Sequence, residues 1–128
     1  ARAHETLKAL QRKGDYLSAY VLAFSIIEDR VRAMFVVRFK HEHAKDPSAN
    51  KIQQSLTEII RYLAKRTDIP QEIATSLISA IRARNELIHA ALWHLNITTA
   101  KDVEEVIRWG RIADTLRRKQ KQKIKQVK

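Results

Sequence analysis

The chain has 128 residues, 45% hydrophobic and 30% charged, a balance that fits one folded domain and argues against both disorder and a bilayer-spanning protein. Only 2 Gly and 2 Pro occur, too few for the turns of an all-β fold, and the 0 Cys exclude disulfides, thiolate zinc sites and cysteine nucleophiles. Lys and Arg number 25 against 14 Asp and Glu, and the resulting net charge of +11 makes a polyanion (RNA, DNA or anionic lipid) the expected partner.

In chain order, residues 2–13 read as a short polar helix ended by Gly14, after which Asp15 is placed to cap a long amphipathic helix to about His43. Pro47 between Asp46 and Ser48 marks 44–50 as a loop, and Ile52, Leu56, Ile59 and Leu63 carry a third helix over 52–66. Asp68-Ile69-Pro70 opens a fourth helix that runs to about Leu92, and 93–98 is the next connection. Thr99 with Asp102 resembles a capping box that starts a last helix through Val103, Val106, Ile107, Ala113 and Leu116. Beyond it the pattern dissolves into a basic tail, readable as a solvated charged end or as a phosphate-binding arm. Short connections favour antiparallel neighbours. The expectation is therefore an all-α, up-and-down four-helix bundle with an additional short N-terminal helix, comprising a bundle domain over 1–116 and a basic tail over 117–128. No apolar run approaches the roughly 18 residues that span a bilayer, and the N-terminus has no signal-like stretch, so a cytoplasmic protein without membrane contact is expected.

Polar residues fall where the helices are expected to be apolar. On the fourth helix Leu77, Ile81, Ile88 and Leu92 lie within roughly 60° of one another, Asn85 falls inside that stripe, and Arg84 and His89 sit on its two shoulders, about 140° apart. Arg82 and Glu86 project to the solvent side. On the second helix Leu17, Val21, Phe24, Val31 and Phe35 form the apolar stripe, with Glu28 in its middle. A buried carboxylate needs a cation, and the planar fork of Arg84 suits it, so one reading is a Glu28–Arg84 pair that fixes helix register. His89 opens a second reading, because imidazole moves protons near neutral pH while Arg can hold a phosphate and stabilise charge developing on it. That chemistry requires neither metal nor cofactor. It usually needs two proton-transfer groups, which a homodimer would supply by bringing two copies of the helix together.

The segment Arg84-Asn85-Glu86-Leu87-Ile88-His89 resembles the signature of the HEPN superfamily, an Arg followed after four to six residues by His, often with a polar residue directly after the Arg. The context is similar too: a helical bundle, the motif late in a late helix, and an acidic residue, Glu28, in a long early helix. The resemblance implies a metal-independent endoribonuclease whose homodimer forms one composite RNA-cleaving cleft. In it Arg84 would contact the phosphate, His89 would assist proton transfer, Asn85 would orient the pair and Glu28 would support them. It also implies a toxin or phage-defence role, an antitoxin or other regulatory protein as a partner, and RNA ends carrying a 2′,3′-cyclic phosphate. Other members have lost activity and only bind, so the alternative is an inactive helical module that holds RNA or a protein. In one toxin group a Tyr two residues after the His is modified by the antitoxin; this chain has Ala91 there.

Weaker signals complete the reading. An H-x-H step on a helix turns His41 and His43 about 200° apart, which suits an exposed helix end better than a metal site. His94 could supplement His89, and Trp93 and Trp109 are read as core residues before base-stacking ones. Gly-rich phosphate loops, Ser-His-Asp arrangements and paired catalytic carboxylates do not emerge.

Overall fold

Among the described residues, 2–92 and 98–127, the computed structural model has six α-helices and no strand. The all-α expectation holds. The helices are α1 (Arg2–Arg12), α2 (Tyr16–His43), α3 (Ala49–Ile52), α4 (Leu56–Lys65), α5 (Gln71–Leu92) and α6 (Ala100–Val127). Gly14 ends α1 at a φ of +75°, where a side chain is disfavoured, and lets the Asp15 amide reach back to the Leu10 carbonyl at 3.0 Å. Asp15 then caps α2 through the Ser18 amide. At the start of α6 the expected capping box is present: the Thr99 amide donates to Asp102 Oδ2 at 2.8 Å, and the Asp102 amide donates to Thr99 Oγ1 at 3.3 Å.

α2 is the spine, packed by α1, α3, α4 and α6. Neighbours on several sides bury more than one row of its side chains, among them Tyr20, Phe24, Ile27, Val31, Met34 and Phe35. Correspondences along the chain set the directions. Tyr20 lies beside Asp102 and Val106, Ile27 beside Gly110, Arg30 bonds Asp114 and the Met34 carbonyl bonds Gln120, so α2 and α6 run parallel. α5 runs against both, from Asp68 beside Arg38 to Arg84 beside Phe24 and Glu28. A simple up-and-down order would set α2 and α6 antiparallel. The difference comes from 44–55, which returns along α2: Lys51 stands over the Phe39 ring, and Arg32 donates to the carbonyls of Ile52 and Gln54. α4 thereby starts back near Arg32, capped by Ser55, and the single helix expected over 52–66 is instead α3, a break and α4.

A second departure lies at the C-terminus. α6 does not dissolve after Leu116 but continues to Val127, because Gln120 is buried and Lys123 reaches inward to the Arg66 carbonyl and Thr67 Oγ1, at 3.0 and 2.6 Å. Both meet the turn between α4 and α5. There Asp68, its side chain fully buried, takes two hydrogen bonds from Arg38 (2.7 and 2.5 Å) and one from Gln120 (3.0 Å). This network ties α2, the α4–α5 turn and α6 together. No helix is long and apolar enough to cross a membrane among the described residues.

Candidate functional site

Among the described side chains the buried row of α5 comprises Ala74, Leu77 and Ile81; from Arg82 to Ala90 every side chain is partly or fully exposed. Helix lengths supply the reason. α4, the helix against which α5 packs, spans about 15 Å, whereas the 22 residues of α5 span about 33 Å, so its C-terminal half runs past the cover. Asn85, expected inside the stripe, is therefore exposed, as is His89, while Leu87 and Ile88 are half-buried. Arg82 and Glu86 face solvent as expected.

Arg84 is the organised member of the set. Its guanidinium carbon stands 4.5 Å from the centre of the Phe24 ring, a cation–π distance, and Nη1 lies 3.9 Å from Glu28 Oε2. Nε and Nη2 both donate to Asn85 Oδ1, at 3.3 and 3.2 Å. Three groups from two helices thus hold a guanidinium whose side chain remains 24% exposed. Glu28 is not inside the bundle as expected. Its carboxylate is 34% exposed, on the margin of the α2 row formed by Tyr20, Ile27 and Met34, and Arg32 one turn on donates to its Oε1 at 3.2 Å. Leu17 and Val21, placed in the α2 stripe by spacing alone, are half-buried and exposed for the same reason. The expected pairing of Glu28 with Arg84 is present; the expected deep burial is not. Glu28→Ala is accordingly expected to destabilise by about 1 kcal/mol or less in urea unfolding, the range of solvent-screened pairs, and a loss above about 3 kcal/mol would contradict this geometry.

His89 is exposed one turn beyond Asn85, about 40° around the helix from it and about 140° from Arg84. Spacing did not reveal the groove beside Arg84, a cavity of about 120 Å³ lined by Tyr20, Ala83, Leu87, Asp102, Glu105 and Trp109. Burial pushes the Tyr20 hydroxyl above its ordinary pKa, with the Asp102 charge adding to the effect and the Arg84 charge opposing it. The i, i+4 aromatic pair Tyr20 and Phe24, with centroids 6.3 Å apart, was the available signal for this wall. Trp109 is half-buried, with Arg108 over its ring at 5.2 Å. His41 and His43 are exposed at the α2 terminus, and among the described residues no group of three His, Cys, Asp or Glu could hold a metal ion. Trp93 and His94, and the Ala91 and Leu92 side chains, lie outside the described residues.

Compared with protein-family models, with curated proteins and with solved structures, the chain matches none. Fold and site define a class by chemistry: a basic all-α protein that presents a positioned arginine–amide pair and an imidazole on one half-exposed stretch of helix.

Proposed function

We propose that the chain is a HEPN-like, metal-independent endoribonuclease that acts as a homodimer. The observation that carries this reading is the half of α5 beyond Ile81, where Arg84 is pre-positioned by Phe24, Glu28 and Asn85 and His89 is exposed five residues on. The rotation of about 140° between Arg84 and His89 suits a shared cleft, since a phosphate held by Arg84 of one copy can meet His89 of the other. Half-buried Ile88, next to His89, supplies apolar area for that contact. In the cleft one imidazole takes the proton of the ribose 2′-hydroxyl, whose oxygen attacks phosphorus. The bond to the 5′-oxygen breaks, and the second imidazole, protonated, gives that oxygen its proton. A 2′,3′-cyclic phosphate and a 5′-hydroxyl result. Activity of this kind fits a toxin or phage-defence effector held in check by an antitoxin or other regulatory protein.

A second reading, an inactive module that binds RNA or a protein, is favoured by one observation: Arg84 already faces a carboxylate, which lowers its capacity for phosphate. Incubating a mixed RNA pool and matched DNA with the protein in EDTA separates the two. Nuclease activity gives cut RNA with cyclic phosphate ends and intact DNA, whereas the binding module shifts RNA in a gel and leaves it whole. Light scattering at micromolar concentration is expected to give a dimer, and a monomer there would count against the shared cleft.

A further inference from the structure

The charge of this chain is unevenly distributed. Residues 117–128 hold seven Lys and Arg and no Asp or Glu, which leaves a net charge of only +4 for 1–116. In the bundle Arg30, Arg32, Arg38, Arg61, Arg66 and Arg84 each face a carboxylate. Along the last turns of α6 unpaired cations stand close together: among the described residues Arg117, Arg118, Lys119, Lys121 and Lys125 have no carboxylate partner within ion-pair distance, and all but half-buried Arg117 are exposed.

This cationic stretch is ordered by the fold. Gln120, 2% exposed, donates to the Met34 carbonyl and to Asp68, and Lys123 is turned inward onto the α4–α5 turn. With 120 and 123 as anchors, their neighbours are held outward. Arg111, Arg118 and Lys125 recur every seven residues and so form a nearly straight row about 21 Å long, with Lys121 about 60° to one side. Beside this row, at Arg118, lies an open cavity of about 340 Å³ lined by Asp114, Arg117, Arg118 and Lys121. Its one carboxylate is already engaged, since Arg30 Nε donates to Asp114 at 2.6 Å.

From this arrangement we infer that the outer face of α6 from Arg111 to Lys125 is a sequence-independent docking surface for the phosphate backbone of a nucleic acid. A row of unpaired cations on an ordered helix binds successive phosphates without first losing backbone freedom, and guanidinium groups beside an ammonium suit phosphate oxygens. An anionic membrane is the weaker fit. A helix that lies in a bilayer surface presents apolar residues outward, whereas here Leu116 is buried, Ile124 half-buried, and the exposed positions are Arg118, Lys119, Lys121, Gln122 and Lys125. The inference rests on the RNA-cleaving proposal only for its choice of RNA as ligand; its residues are separate from Arg84, Asn85 and His89.

The test uses the full chain and a fluorescein-labelled 2′-O-methyl RNA of about 20 nucleotides, which cannot be cut through the 2′-oxygen, with binding read by anisotropy between about 50 and 200 mM salt. The variant R118E/K121E/K125E is expected to lose at least about tenfold in affinity, and its plot of log K against log salt is expected to flatten by about 2, for three lost contacts at about 0.7 each. K8E/K13E/K45E changes net charge equally at exposed sites elsewhere, and is expected to keep most of the affinity. The neutral K121Q/K125Q variant is expected to weaken binding and K121R/K125R to restore it, which preserves the test if the triple reversal melts early. Affinity and salt slope unchanged in R118E/K121E/K125E, or equal losses in both triple variants, would overturn the surface, as would binding to phosphatidylserine vesicles without binding to the RNA. Tight binding through α6 with no cleavage of ordinary RNA would remove the nuclease proposal and leave the docking surface standing; cleavage with binding unaffected by R118E/K121E/K125E would do the reverse.

Discussion

Asp68→Ala is expected to lower the free energy of unfolding by about 3–5 kcal/mol in urea denaturation, the cost of breaking one side of a buried charged network. Its carboxylate is fully buried and accepts from Arg38 twice and from Gln120 once, with Lys123 Nζ 3.7 Å away. Removing it strands the Arg38 guanidinium, whose side chain is only 12% exposed, and leaves Gln120 with one fewer partner. Against a total stability of about 5–15 kcal/mol such a loss is severe. Burial by itself would raise the Asp68 pKa, but hydrogen bonds from Arg38 and Gln120 and the charges of Arg38 and Lys123 outweigh it and hold the carboxyl below its ordinary value. Because the folded value is depressed, the linked stability is complete above the unfolded carboxylate value, near pH 4, and is lost as the pH falls through the lower folded value. Wild type should therefore hold its urea midpoint down to about pH 4 and lose it below, and Asp68→Asn should flatten that acid decline. A midpoint for Asp68→Ala within about 1 kcal/mol of wild type would show that the network does not tie the helices.

His89→Ala is expected to reduce RNA cleavage in EDTA by roughly 10²–10⁴-fold, the usual contribution of a positioned general acid or base, while RNA affinity changes little. His89 is exposed, so its removal leaves the core intact and the melting temperature close to wild type. Arg84→Ala mixes two effects, loss of the phosphate contact and of an ion pair and ring contact in the fold, so its activity is to be read beside its thermal stability. Mixing Arg84→Ala with His89→Ala after subunit exchange tests the shared cleft, because a mixed dimer retains one Arg84 and one His89 on different copies. Recovery of part of the wild-type rate is expected. Absence of recovery in confirmed mixed dimers would show that the one remaining imidazole does not suffice or that Arg84 and His89 of the same copy share a site, and full turnover by His89→Ala would take the proton transfer away from His89.

Local signals read from the sequence agree with the structure wherever the forces are local. Gly14 at positive φ, the Asp15 cap, the Thr99–Asp102 box and the start of α5 after Pro70 depend on backbone groups within a few residues of one another, so the chain alone determines them. The all-α class follows equally from composition and period. The residues Arg84, Asn85 and His89 were legible as a set because polar side chains interrupted an apolar spacing, and Glu28 was legible as the partner of Arg84 because each interrupts the apolar stripe of its helix and a guanidinium suits a carboxylate.

Only tertiary structure decided depth and direction. Periodicity reports which side chains share a face but not how far the neighbouring helix extends, so it placed Asn85 in a row that, among the described side chains, is buried only as far as Ile81. It placed Glu28 in the middle of a stripe because it cannot tell which of several rows of a central helix meets α6. The parallel run of α2 and α6 depends on the return path of 44–55, and the order of α6 beyond Leu116 depends on Asp68, more than fifty residues away in sequence from Gln120, as their hydrogen bond shows. The sequence by itself determined the helices, their caps and the identity of the polar set; packing between distant segments determined which of those polar groups are buried, which are paired and which face solvent, because burial and ion pairing belong to pairs of surfaces and not to any one stretch of chain.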